Sequence, residues 1–540
     1  MNPTAHWRLG LVLAVTLLTF RGVTALPFTI VDDPTWVVHN PLVRDPFGQG
    51  VVELLRTTSM AYPHGVTVLS LALDRVLYGT APAGYHATNL AVHLASVVLL
   101  YALLVRLAVA VPTAGAAVAL FALHPLVVEP VCWVIGRKDL LSTLLVLAAL
   151  LVLAGRRDDH RPIGLGRFAA GNVLGIAAML AKPSALPAPA LAWVFLRCAR
   201  PTEPRWRLAL GLAPQAIAGA LVVMTGVPGL HAQGAIVERR PWQVAVDIAR
   251  AWSLQWQHVV WPRGLLVEYE RTAEGDPPTW IIALVTLATV AALAYAWRRL
   301  HPRSVERMAL AFIALAYLPV AGFLPTQHFT ADSYFYLPLV GVTFAFATLV
   351  TRWWTGLAGF TYVALALAVL SFVQVRTWSG AVAMFAPVAA YYPDDPRPLN
   401  RLAYAYAHEN DRLASARAYV ELDQTFPDYP FNRGERAAAY AFLGDRPGSD
   451  AVFERCIAAL DEECAARLFV DAVGRRGSAR RADAELLAAA YPVAAPALPR
   501  RLDPAGLRAV AAWLRDAGLE ELAARADADA DAARASHVRP

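Results

Sequence analysis

The sequence predicts an all-α protein: a polytopic membrane domain of about eleven transmembrane helices, followed by a short helical-repeat domain. Three observations predict it. Of the 540 residues, 57% are hydrophobic and 17% charged, with a mean hydropathy of +0.43, whereas soluble domains carry about a quarter charged residues. The apolar residues gather in long runs. After residue 375 the composition turns to alanine, arginine and acidic residues with a repeat of 34.

The expected spans are 8–26, 84–106, 112–126, 139–155, 168–182, 185–197, 207–226, 279–298, 308–325, 332–350 and 356–374. No small-x-small cleavage site follows the first run, which reads as a retained span. Arginines cluster at Arg156, Arg157, Arg161 and Arg167, at Arg197, Arg200, Arg205 and Arg207, and at Arg298, Arg299, Arg303 and Arg307. With the N-terminus inside, all three clusters fall on the cytoplasmic side, as the positive-inside rule requires. The formal charge of +6 is therefore assigned to loops rather than to nucleic-acid binding. The loops 27–83, 127–138, 227–278 and 326–331, and everything after 374, then lie outside. Residues 63–79 and 243–262 are apolar but carry charges and read as interfacial or re-entrant helices.

In the C-terminal part, Pro393 and Pro427, Asp394 and Asp428, Tyr406 and Tyr440, and Asp411 and Asp445 are each 34 apart. This period with alanine-rich paired helices is the tetratricopeptide signature. The expected domains are 1–375 (membrane), 376–490 (repeats) and 491–540 (a helix and a disordered tail). Four cysteines show no metal-ligand spacing, and spacing alone leaves the pairing of Cys456 with Cys464 open.

Ionisable residues near membrane depth are costly and invite a functional reading. In the predicted topology they converge on the outer face. The first outer loop carries Asp32, Asp33, His39, Arg44, Asp45, Glu53, Arg56 and His64. His86, Asn89 and His93, spaced by three and four, share one helix face. His124, Glu129, Arg137, Lys138 and Asp139 follow in HPLVVEPVCWVIGRKDLL; then come Lys182, Asp332, Tyr334 and Tyr336. Each has a structural use: the Asp pair can cap a helix, the histidines can pack between helices, and Arg137 and Lys138 can snorkel. Five segments bringing acids, bases and cations to one face point to catalysis. A carboxylate can align and deprotonate a hydroxyl. Cations such as Arg137 and Lys182 can hold a phosphate and stabilise it as it leaves.

The motifs DDPTWVVHNP, GYHATNLAVHL, FALHPLVVEPVCWVIGRKDLL, AKPSAL and TADSYFYLPLVG, in this order before the repeats, resemble the transmembrane-and-tetratricopeptide-repeat O-mannosyltransferases of the GT-C glycosyltransferase superfamily. The resemblance covers roughly residues 10–445. It implies an inverting enzyme with Asp32 or Asp33 as catalytic base. Arg137, Lys182 and His64 would bind the donor phosphate, and His86, Asn89, His93, His124, Glu129, Asp139, Asp332 and Tyr336 would line the pocket. The donor implied is a polyprenyl-phosphate sugar such as the mannose form, and the acceptor a protein Ser or Thr hydroxyl presented by the repeats. No metal or cofactor is implied. The alanine- and arginine-rich composition points to a bacterial inner membrane and an undecaprenyl-type donor. The chain departs from the family pattern at Tyr62-Pro63-His64-Gly65, Lys182-Pro183 and Ala331-Asp332-Ser333-Tyr334, where two arginines and a glutamate are replaced. Two other classes fit part of this pattern: a non-enzymatic scaffold would use the repeats alone, and a transporter would place its charges near the bilayer midplane.

Overall fold

The computed structural model describes residues 7–45, 58–59, 62–155, 161–232, 236–271, 279–301, 304–323, 329–353, 357–466, 469, 484–516 and 518–537. Glu53, Arg56, Arg156, Arg157 and Arg303 lie outside them. The chain forms two compact units, Met1–Val388 and Ala389–Pro540. The first unit thus continues past the expected boundary at 375, and the second runs on through 491 without a further division. Helix dominates. The described exception is a pair of two-residue strands, Thr58–Ser59 antiparallel to Tyr62–Pro63.

In the first unit, five helices are long and apolar enough to cross a membrane: Trp7–Ala25, Pro82–Arg106, Arg205–Pro228, Trp280–Arg299 and Phe360–Trp378. A sixth span results if Val111–Leu123 and Pro125–Cys132, bent by 54°, are counted as one. This corrects the expected count of eleven. The other expected spans fall on Arg137–Ala154, Leu165–Ala181, Ala188–Ala199, Val305–Tyr317 and Tyr336–Trp353. These have 12 to 18 residues, short of the roughly 20 that a perpendicular span needs. Leu287 and Val290 are 68% and 52% exposed, and Leu365 and Val369 52% and 61%. Apolar faces of this kind suit lipid rather than water, and the chain is a multi-pass membrane protein. The two segments expected at the interface are the helices Gly65–Tyr78 and Pro241–Val260.

Two X-Pro breaks shape the region that matters below. A proline disfavours helical backbone at the residue before it. His124, before Pro125, is extended (ψ 134°) and ends the helix Val111–Leu123. Lys182, before Pro183, is also extended (ψ 134°) and ends Leu165–Ala181. Each break leaves a polar side chain at a helix end.

The second unit opens with two helix hairpins, Pro396–His408 with Arg412–Thr425 and Arg433–Phe442 with Arg446–Ala458. The 34-residue offset recurs in their geometry. Asn410 and Gly444 take the left-handed conformation (φ +63° and +85°). Asp411 and Asp445 then cap the following helices, accepting from Ala414 N and Gly448 N at 3.0 Å each. Buried Asp423 bridges the hairpins, accepting from Arg436 Nη1 at 3.1 Å and Arg455 Nη2 at 2.7 Å. The tail, expected to be disordered, is helical over Glu520–His537. Its Ala523, Ala526 and Ala530 are fully buried against Leu507, Val510, Ala511 and Leu514. Small side chains every third or fourth residue make a seam that composition alone did not reveal.

Cys456 and Cys464 form a disulfide, and it closes a short loop whose unfolded entropy it removes. Cys456→Ser with Cys464→Ser is expected to destabilise the second unit by about 2–3 kcal/mol. Pulse proteolysis of the full chain in urea, with cleavage sites mapped to residues after 389, checks this.

Candidate functional site

Arg137 is the centre from which the site is built. It is fully buried, and each guanidinium nitrogen is used. Nη2 pairs with Asp74 Oδ2 at 2.6 Å and donates to Tyr85 O at 2.9 Å. Nη1 donates to Ser70 Oγ at 2.7 Å, and Nε donates to Asn89 Oδ1. Asn89 in turn donates through Nδ2 to Trp133 O at 2.8 Å. One residue thus joins Gly65–Tyr78, Pro82–Arg106, the turn before residue 137 and Arg137–Ala154. Gly136 permits the turn, since a Cβ there would lie 2.6 Å from Pro130 O. Arg137 was expected at a donor phosphate. Four of its five N–H donors are committed to protein, so the geometry gives it an architectural role.

The two adjacent aspartates divide the work. Asp33 is fully buried. Its Oδ2 accepts from Thr29 N at 2.8 Å and its Oδ1 from Ile135 N at 3.3 Å, which ties the first loop to the turn at 133–136. Burial pushes its carboxyl up to about 7. Asp32 is partly exposed. Its carboxylate has no hydrogen-bond or ion-pair partner among the described residues, and it stands within electrostatic range of Lys138 and Tyr334.

The histidines are structural. His64 Nδ1 donates to Ala181 O at 3.2 Å, and the ring meets Trp36 edge-on at 5.3 Å. Burial, helped by Lys138, lowers its pKa to about 4. The imidazole is neutral near pH 7 and supplies no charge to a phosphate, contrary to expectation. His86 Nε2 lies 3.3 Å from Pro27 O. His93 Nε2 donates to Ala122 O at 3.2 Å, and its Nδ1 accepts from Tyr336 Oη at 2.7 Å. His124 Nδ1 accepts from Leu126 N at 3.2 Å, and its Nε2 donates to Val259 O at 3.1 Å. These four histidines, with Asn89 and Tyr336, hold segments together, and each is buried.

What remains is a compact polar cluster. Lys182, at the Lys-Pro break, pairs with Asp139 Oδ1 at 2.5 Å and lies 5.0 Å over the Tyr334 ring. Glu129 Oε2 accepts from Ser333 N at 3.3 Å and shares the field of Asp332 and Asp139. Asp332 Oδ1 accepts from Tyr269 Oη at 2.8 Å and lies 3.4 Å from His258 Nδ1. Lys138 projects between two indoles, 5.1 Å from the Trp133 centroid and 6.0 Å from Trp36. Of the expected site residues, Asp32, Glu129, Asp139, Lys182 and Asp332 meet here.

Sequence reasoning left Lys138, Tyr269 and His258 out of the site. For Lys138, helical geometry says only that it points about 100° away from Arg137 and from Asp139, not which of the three is spent on the fold. Tyr269 comes from an irregular segment and carries no such signal. Among the described residues, one trio of possible metal ligands lies within 4.8 Å, Cys456, Asp461 and Cys464. Its two sulfurs are bonded to each other.

No family model and no solved structure matches the chain. Parts of it are similar to curated proteins. Protein O-mannosyl-transferase TMTC1 of Mus musculus is 31% identical over 169 residues, 28% of this chain and 18% of that protein. Protein O-mannosyl-transferase F38B6.6 of Caenorhabditis elegans is 31% identical over 140 residues, 24% of this chain and 20% of that protein. Protein O-mannosyl-transferase Tmtc3 of Drosophila melanogaster is 35% identical over 115 residues, 17% of this chain and 12% of that protein. The chain spans a fifth or less of the length of these curated relatives.

Two outcomes follow from the framework. Arg137→Met leaves Asp74 buried without its counter-charge and is expected to cost about 3–5 kcal/mol, seen as a lowered unfolding midpoint in detergent. Arg137→Lys is expected to recover little of it, because an ammonium cannot reproduce the fork. For Asp33, the folded carboxyl titrates near 7 and the unfolded one near 3.8. Between these values the folded state holds more protons. The contribution is full below pH 3.8 and is lost as pH rises toward 7. Asp33→Asn, which removes the titrating group and keeps one of the two oxygens that accept from backbone N–H, is expected to flatten that decline in unfolding midpoints measured across this range.

Proposed function

We propose that this chain is a membrane glycosyltransferase of the O-mannosyltransferase type, moving a sugar from a polyprenyl-phosphate donor to a protein hydroxyl. The observation that carries the reading is Asp32. Its carboxylate is partly exposed, has no partner among the described residues, and stands in the field of Lys138 and beside a cluster holding Lys182. The partial similarity to O-mannosyl-transferases supports the same reading.

In this mechanism Asp32 is the base. It orients the acceptor hydroxyl and takes its proton as the oxygen bonds to the anomeric carbon. The bond from that carbon to the phosphate oxygen breaks, and the lipid phosphate leaves with the electron pair. A single displacement inverts the anomeric centre. An ordinary aspartate is a weak base, so its contribution comes from alignment and from countering charge at the reacting carbon. Asp33 positions the loop that carries Asp32. Of the three residues expected at the phosphate, Lys182 keeps its ammonium at the cluster, where Asp139 orients it.

We place the reaction on the extracytoplasmic side, with the second unit on the same side. The Cys456–Cys464 disulfide supports this, because disulfides persist in oxidising compartments. The helix hairpins with their 34-residue offset fit a tetratricopeptide-like surface for the acceptor polypeptide. A bacterial inner membrane and an undecaprenyl-type donor remain the assignment that composition favours.

Purified protein given radiolabelled polyprenyl-phosphate sugars and an acceptor peptide tests the base. Asp32→Asn is expected to reduce transfer by about a hundredfold or more with an unchanged unfolding midpoint. Undiminished transfer by this variant would falsify the assignment.

A further inference from the structure

We propose that Lys138 is the principal anion anchor of the site, holding the phosphate of the lipid-linked donor beside Asp32; this rests on the glycosyltransferase reading above. The argument begins with three consecutive residues at the start of the helix Arg137–Ala154. Arg137 turns inward, and its donors go to Asp74, Ser70, Tyr85 and Asn89. Asp139 turns to Lys182 at 2.5 Å. Lys138 turns in a third direction, toward Trp133 and Trp36.

Lys138 makes no ion pair among the described residues. It is partly buried, so water meets only part of its hydration demand. The carboxylates that act on it are Asp139, Asp32 and Glu129, none within ion-pair distance, and Lys182 opposes them. Asp139 already serves Lys182, and Glu129 accepts from Ser333 N. The indole faces supply partial compensation through cation–π attraction. They also fix the ammonium, since Trp36 packs on His64 at 5.3 Å and Trp133 stacks on Trp378 at 6.2 Å. The result is an oriented, partly desolvated cation with spare donors and a like charge nearby. An ammonium with spare donors can make charge-assisted hydrogen bonds to a phosphate oxygen.

The position also fits the chemistry of departure. When the bond from the anomeric carbon to the phosphate oxygen breaks, that oxygen gains charge. An ammonium fixed by two rings can stabilise it without reorganising. Asp32, within range of the same lysine, takes the acceptor proton. Lys138 and Asp32 thus divide the two charges that develop during transfer.

The test measures binding of farnesyl phosphate to the full chain in detergent, with farnesol and inorganic phosphate as comparators. The wild-type protein is expected to bind farnesyl phosphate more tightly than either. Lys138→Ala is expected to weaken farnesyl phosphate about tenfold or more, the loss of one charge-assisted contact, and to leave farnesol unchanged. Lys138→Arg is expected to restore most of the affinity, which separates lost charge from lost folding. Unchanged affinity in Lys138→Ala overturns the anchor and leaves the donor reading intact. Inorganic phosphate competing as well as farnesyl phosphate makes this a free-phosphate site and overturns its assignment to a lipid donor. No phosphate-dependent binding by the wild type overturns the anchor and the donor reading together.

Discussion

A guanidinium with no access to water must have its charge and its hydrogen-bond donors satisfied by protein. Arg137 imposes that condition on the first unit. Its partners come from Gly65–Tyr78 (Ser70 and Asp74) and from Pro82–Arg106 (Tyr85 and Asn89). Asn89 carries the constraint on to Trp133 O. Removing one member would strand another in a low-dielectric interior, where the cost is several kcal/mol. The two helices and the turn are therefore assembled together or not at all. Once Arg137 is committed, helical geometry sends Lys138 and Asp139 elsewhere, and their new directions create the polar cluster.

A similar economy governs the aspartate pair. One carboxylate is used up in positioning: Asp33 holds Thr29 N and Ile135 N and is sealed from water. The other is left chemically free because its neighbour has fixed the backbone. In the proposed mechanism, a base that acts mainly through alignment needs such a rigid mount. The buried histidines serve the same end. His64 ties the segment after the first helix to Ala181, one residue before Lys182, so the loop and the lysine are held in register.

Proline placement explains why polar groups can gather in so apolar a chain. His124 and Lys182 each precede a proline, and each ends a helix with extended backbone. Irregular backbone at membrane depth is tolerated where protein buries it. At His124 the ring caps the next turn and reaches Val259 O. At Lys182 the side chain finds Asp139. The break at Lys182 also ends one of the helices that the hydropathy pattern counted as a full span, Leu165–Ala181.

The sequence by itself determined that the chain is helical and membrane-embedded, because long apolar runs have no other stable use. It also determined the 34-residue period, whose turns Asn410 and Gly444 and caps Asp411 and Asp445 are local features. Helical spacing placed His86, Asn89 and His93 on one face. What those residues do was decided by partners far along the chain: Tyr336 for His93, Val259 for His124, Asp74 for Arg137. No local pattern distinguishes Asp32 from Asp33, or Arg137 from Lys138. Only the tertiary structure separates them. It shows which side chain has spent its hydrogen-bonding capacity on the fold, and satisfaction of a buried group depends on neighbours that sequence spacing does not encode.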